Sequence, residues 1–144
     1  MEIIVDVVFM NFLNANDRIY DNIACNKIIT DFNKSKAEGI VYGELGQPEK
    51  EPSDLDRVSH IVENMWISNG TVKAKIKTLN TPDGKILKAN IDDYVFSTRS
   101  LGKVEPNRIV SLNSFITIDA INWKEDPYYQ RRLRNKKLER ILND

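Results

Sequence analysis

One cysteine and one histidine are all that the 144 residues contain of either type. Cys25 has no second thiol, so an intrachain disulfide is excluded. Neither a CxxC pair nor a His/Cys group offers a zinc site, and Cys25 reads as a half-buried helix residue. Such a chain suits a reducing cytoplasm. No apolar run approaches the roughly 18–20 residues that span a bilayer, which speaks against a membrane partner. The apolar start, Met1 to Leu13, carries Glu2 and Asp6 and lacks a basic leader and a small-residue cleavage site. It therefore reads as a buried strand and not as a signal peptide. Net charge is also missing, with 21 Lys+Arg against 21 Asp+Glu, so no global field draws the chain to nucleic acid or an anionic surface. There is no phosphate-cradling glycine loop and no Rossmann fingerprint. The acids Asp54, Asp56, Asp92 and Asp93 lack the glycine and spacing of a calcium loop. No metal, cofactor or small-molecule substrate is expected.

What is present suits one soluble domain. The chain is 41% hydrophobic and 29% charged, and its length can bury one core without staples. Glu2 to Phe12 is apolar on both faces, which predicts a strand covered on both sides. Asn14 to Asp17 is a turn, and a helix is predicted from about Asp21 to Lys36, with Ile23, Ala24, Ile28 and Phe32 on its apolar face and Gly39 past its end. Ile40 to Tyr42 is a short strand, and Glu49 to Asp56 a loop. Arg57 to Ile67 and Thr71 to Leu79 form a hairpin around Asn69-Gly70. In the second strand Val72, Ala74 and Ile76 face inward. Lys73, Lys75 and Lys77 face outward and read as a solvated row. Thr81 to Gly84 is a turn before a short helix, about Lys85 to Asp92. Tyr94 to Ser97 is a strand, Thr98 to Gly102 a loop, and Arg108 to Trp123 a long β region ended by Asp126-Pro127.

Strands outnumber helices, which predicts an α+β fold on an antiparallel barrel or sheet. The expected division is a domain over residues 1–127 and a basic helical tail over 128–144. The tail carries Arg131, Arg132, Arg134, Lys136, Lys137 and Arg140 with Leu133, Leu138, Ile141 and Leu142. Helical spacing brings Arg134, Leu138 and Leu142 near one face, with Ile141 beside it. Three readings stay open: a helix packed on its own domain, a helix docked on a protein neighbour through Arg131, Arg132, Arg134, Leu138, Ile141 and Leu142, or contact with nucleic acid. The last is disfavoured by the short run and the neutral chain.

Six segments, in order, resemble the prohead (capsid-maturation) proteases of tailed bacteriophages. They are Asn16-Asp-Arg-Ile-Tyr20; Tyr42-Gly-Glu-Leu-Gly-Gln-Pro48, similar to "GELGHP"; Val58-Ser-His-Ile-Val62 with Trp66; Leu79-Asn-Thr-Pro-Asp-Gly-Lys85; Phe96-Ser-Thr-Arg-Ser-Leu-Gly102, similar to "VSSRGLG"; and Ile118-Asp-Ala-Ile121 with Asp126-Pro127. Together they run over residues 14 to 127. The resemblance implies the fold shared with herpesvirus assemblin-type proteases, a mostly antiparallel β-barrel of about seven strands flanked by helices. It also implies a place in phage head assembly, with the major capsid protein or other head proteins as partners.

A serine protease needs a nucleophile, a base and an oxyanion hole. In the resembling family the base is the histidine of "GELGHP" and the nucleophile a serine of "SSRG". Those positions match Gln47 and either Ser97 or Thr98. An amide has no basic nitrogen near neutral pH. Losing a general base costs about 10²–10⁴ in rate, and losing a triad member up to about 10⁶. Thr98 would add a methyl that stiffens χ1. His60 sits in a strand segment and reads as structural. It and Arg99 would matter only in an active enzyme, and Arg99 otherwise reads as half of an ion pair. Glu44, with no base to orient, reads as structural as well. The expectation is a catalytically degenerate relative serving as an auxiliary or structural protein of the phage head. An active prohead protease and a transient scaffold-core component are the alternatives.

Overall fold

The computed structural model describes residues 1–14, 17–46 and 57–125. In chain order these form β1 (Glu2–Phe9), α1 (Asn22–Glu38), β2 (Tyr42–Glu44), β3 (Val58–Ser68), β4 (Thr71–Thr78), α2 (Pro82–Ala89), a 3-10 turn (Ile91–Asp93), β5 (Tyr94–Val104) and β6 (Val110–Asn122).

The β3–β4 hairpin forms around Asn69-Gly70, both in the left-handed region (φ 51° and 75°). Two such residues twist the turn the way paired strands need. Val72, Ala74 and Ile76 are fully buried. The opposite lysines are laced to acids: Lys73 Nζ lies 2.6 Å from Asp6 Oδ1, and Lys75 Nζ 3.4 and 3.5 Å from Glu2 and Glu63. β1 pairs antiparallel with β4, and β2 with β3, giving the order β1-β4-β3-β2. β1 ends at Phe9, and Phe12 beyond it is exposed. It is not covered on both faces, since Glu2, Ile4 and Asp6 look outward. Ile4 stands opposite Lys75 on the ion-laced face, so its apolarity does not bury it.

Asp21 caps α1, its Oδ1 accepting from Ala24 N–H at 2.9 Å, and Gly39 N–H closes the other end on the Ser35 carbonyl. Ala24, Cys25, Ile28 and Phe32 form its buried face, while Ile23 is exposed. Cys25 is fully buried rather than half-buried. The helix packs on β6, where Phe32 meets the edge of Phe115 at 6.4 Å. There Asp31 Oδ2 accepts from Phe115 N–H at 3.0 Å, beside a bulge that leaves Ile116 without a partner on β5.

Three boundaries differ from the sequence expectation. Thr81 to Gly84 is not a free-standing turn: Thr81 caps α2 through Gly84 N–H, and Pro82 opens the helix. α2 therefore begins before Lys85 and stops at Ala89. Thr98 to Gly102 is strand, not loop, because β5 runs on to Val104 in register with β6. Lastly, the barrel is not closed. Among the described residues there are six strands in two sheets, four-stranded and two-stranded, rather than about seven in one barrel. The sheets meet only where β2 runs past β6, through one parallel bridge, Leu45 to Ala120. The expected tail, 128–144, lies outside the described residues.

Candidate functional site

The junction of the two sheets is built from polar groups. Gly46 N–H donates to the Ala120 carbonyl at 2.8 Å, Glu44 N–H to Asp119 Oδ1 at 3.1 Å, and Thr117 Oγ1 to the Tyr42 carbonyl. So the segment that leads to position 47 is stitched to the strand opposite Ser97 and Thr98. Gln47 itself lies outside the described residues, as do Arg131, Arg132, Arg134, Leu138, Ile141 and Leu142.

Register separates the two nucleophile candidates. Ser97 stands opposite Asp119 and Arg99 opposite Thr117, whereas Thr98 stands opposite Ile118 and Phe96 opposite Ala120. Directly paired residues share a face and successive ones alternate. Ser97 is thus on the face of the polar junction, and Thr98 on the apolar face with Phe96 and Ile118. Both are partly buried.

Arg99 is buried and forks onto Asp119, with Nε to Oδ2 and Nη2 to Oδ1 both at 2.9 Å, while Nη2 also reaches Glu44 Oε2 at 3.1 Å. The bidentate pair is the strongest arrangement a guanidinium offers a carboxylate. It confirms Arg99 as an ion-pairing residue and joins β5, β6 and β2 in one contact. Burial pushes the Asp119 carboxyl above its ordinary range, against the pull of Arg99 and the Glu44 N–H. Asp119 was not singled out by sequence, although a lone acid in the run Phe115 to Ile121 should signal a buried counter-ion.

His60 is fully buried. Its Nε2 lies 2.8 Å from the Ile118 carbonyl and its Nδ1 2.7 Å from Ser59 Oγ. A carbonyl can only accept, so Nε2 carries the hydrogen and Nδ1 accepts from the serine hydroxyl. The ring stands edge-on to Phe96 at 5.5 Å. Burial drives the imidazole down to about 4, only partly offset by the Ile118 bond. Ser59 is equally buried, so this serine–histidine pair has no path to substrate. His60 is structural, as its strand position predicts.

Among the described residues no cluster of three His, Cys, Asp or Glu side chains could hold a metal, and no helix is long and apolar enough to cross a membrane. An open cleft of about 680 Å³ lies elsewhere, between the end of α1 and β3, lined by Lys36, Ile40, Ile61, Glu63, Asn64 and Lys75 among others. None of Ser97, Thr98, Arg99 or His60 lines it.

No family model and no curated protein matches the chain. Among solved structures, the chain is similar to the bacteriophage T4 capsid assembly protease, gp21, with a TM-score of 0.75 and 23% identity over 83% of this chain and 80% of that one. The fold is therefore prohead-protease-like.

Proposed function

We propose that the chain is a non-enzymatic protein of a tailed-phage head, with the fold of a prohead protease and no working proteolytic site. The state of His60 carries this reading. It is the only imidazole in the sequence, and both ring nitrogens are committed inside the core. With glutamine at position 47, nothing of histidine's basicity is left to take a proton from Ser97 or Thr98. The capsid setting is supported by the likeness to a capsid assembly protease. The auxiliary role, the capsid partner and the docking use of the basic tail are part of the same proposal, because fold alone does not assign function.

The deciding experiment is quantitative mass spectrometry of this chain in purified mature and immature particles. Hundreds of intact copies in each mature head support a structural component. Presence in immature heads with near absence from mature ones would overturn the reading in favour of a transient protease or scaffold-core component.

A further inference from the structure

The buried cluster at the sheet junction is electrically unbalanced. Glu44 and Asp119, both essentially inaccessible, share one buried guanidinium, Arg99. Glu44 Oε2 is hydrogen-bonded to Arg99, but Glu44 Oε1 is buried without any hydrogen bond. A buried carboxylate oxygen left bare is costly, and buried charge calls for a counter-charge. The cation facing it is Arg57, just ahead of β3, whose Nε stands 3.9 Å away on a side chain 60% exposed. That is ion-pair range but too long for a hydrogen bond.

We propose that Arg57 is an exchangeable fourth member of this cluster, docked on Glu44 while Asp119 is ionised and released when Asp119 takes a proton. With both carboxylates charged, Arg99 and Arg57 together balance them. With Asp119 protonated, Arg99 alone balances Glu44, and Arg57 has no reason to stay. The high position of the Asp119 carboxyl, forced up by burial, fits a junction oversupplied with negative charge. Arg57 can leave without uncovering the core, and Arg99 cannot. The remaining groups packed around the junction do not disturb this balance. On β3, His60 is uncharged above about pH 4. On α1, Asp31 and Lys27 neutralise each other at 2.9 Å. The exchange makes the attachment of the chain ahead of β3 to the β2–β6 junction depend on pH. It stands apart from the proposed head function.

Urea unfolding of the full chain at pH 8 and pH 5 tests this with Arg57→Ala, Arg57→Glu and Arg57→Lys, all at an exposed position. The expected result at pH 8 is a loss of roughly threefold in the folding constant for Arg57→Ala, a larger loss for Arg57→Glu and little for Arg57→Lys. Both losses should shrink at pH 5. In a Glu44→Gln background, where Arg99 and Asp119 already balance, Arg57→Ala should cost nothing at either pH. Equal losses at the two pH values, or an undiminished loss in the Glu44→Gln background, would overturn the proposal.

Discussion

Gly43 leaves open the space that His60 fills. A Cβ at position 43 would collide with His60 Nε2 and with the Ile118 carbonyl that this nitrogen binds. The absence of a side chain on β2 thus lets an imidazole from β3 reach β6. Gly43→Ala should therefore destabilise the fold by about 1–3 kcal/mol, the range for overpacking a filled core. His60→Ala should cost stability on its own, but adding Gly43→Ala to it should cost much less than in the parent. A double-mutant cycle by urea unfolding reads the coupling, and strictly additive losses would contradict it.

Arg99 should be the least replaceable charge in the described chain. Arg99→Ala removes the partner of two buried carboxylates, and breaking such a pair typically costs about 3–5 kcal/mol. Asp119→Asn keeps the shape but weakens the fork, so its loss should be smaller. Thermal unfolding of the two variants gives the order. An Arg99→Ala variant within about 0.5 kcal/mol of the parent, the level of an ordinary surface substitution, would refute it.

Acid should weaken the fold through His60 before the usual carboxylate range is reached. Its folded value is about 4 against an ordinary 6.5, so the unfolded chain takes up a proton that the native one refuses. The contribution is fully present above pH 6.5 and falls by about 1.4 kcal/mol per pH unit towards pH 4. Asp31 adds a loss at lower pH. Burial raises its carboxyl, but the Phe115 N–H and Lys27 outweigh that and hold it below 3.8, so its stabilisation disappears as pH falls through the folded value. Unfolding free energies from pH 7 to 5 should show the His60 slope, and His60→Gln should flatten it. An unchanged slope would exclude His60 as its source.

Cys25 should be inert in the native protein. It is fully buried, and burial with the nearby Asp21 carboxylate pushes its thiol up to about 11. Thiolate is the reacting form, so alkylation by iodoacetamide at pH 8 should proceed only in denaturant. Rapid labelling of the folded chain would contradict this placement.

Ser97→Ala and Thr98→Ala should leave the processing of capsid precursors unchanged in infected cells, since neither residue has an imidazole base to serve it. A block in head maturation by either substitution would restore the protease reading. Register makes the sharper expectation that Ser97, on the polar-junction face, would be the one to show it.

The sequence alone determined the elements whose signals are local. The Asn69-Gly70 turn, the alternation of Val72, Ala74 and Ile76 with lysines, and the α1 face closed by Asp21 and Gly39 all depend on neighbours a few residues away, where steric and hydrophobic preferences act directly. Ordered short segments were enough to point to the prohead-protease-like fold, and glutamine in place of histidine was visible without coordinates. Tertiary structure decided what depends on partners far along the chain. That β5 continues through Thr98 to Gly102 follows from its ladder with β6. That Ile4 faces outward follows from its pairing with Lys75. That Arg99, Asp119 and Glu44 converge, and that His60 is spent on Ile118, follows from contacts across 20 to 75 positions. Whether a charge is buried, and what balances it, is a property of the three-dimensional junction, because desolvation and pairing are set by distance in space and not by spacing in the chain.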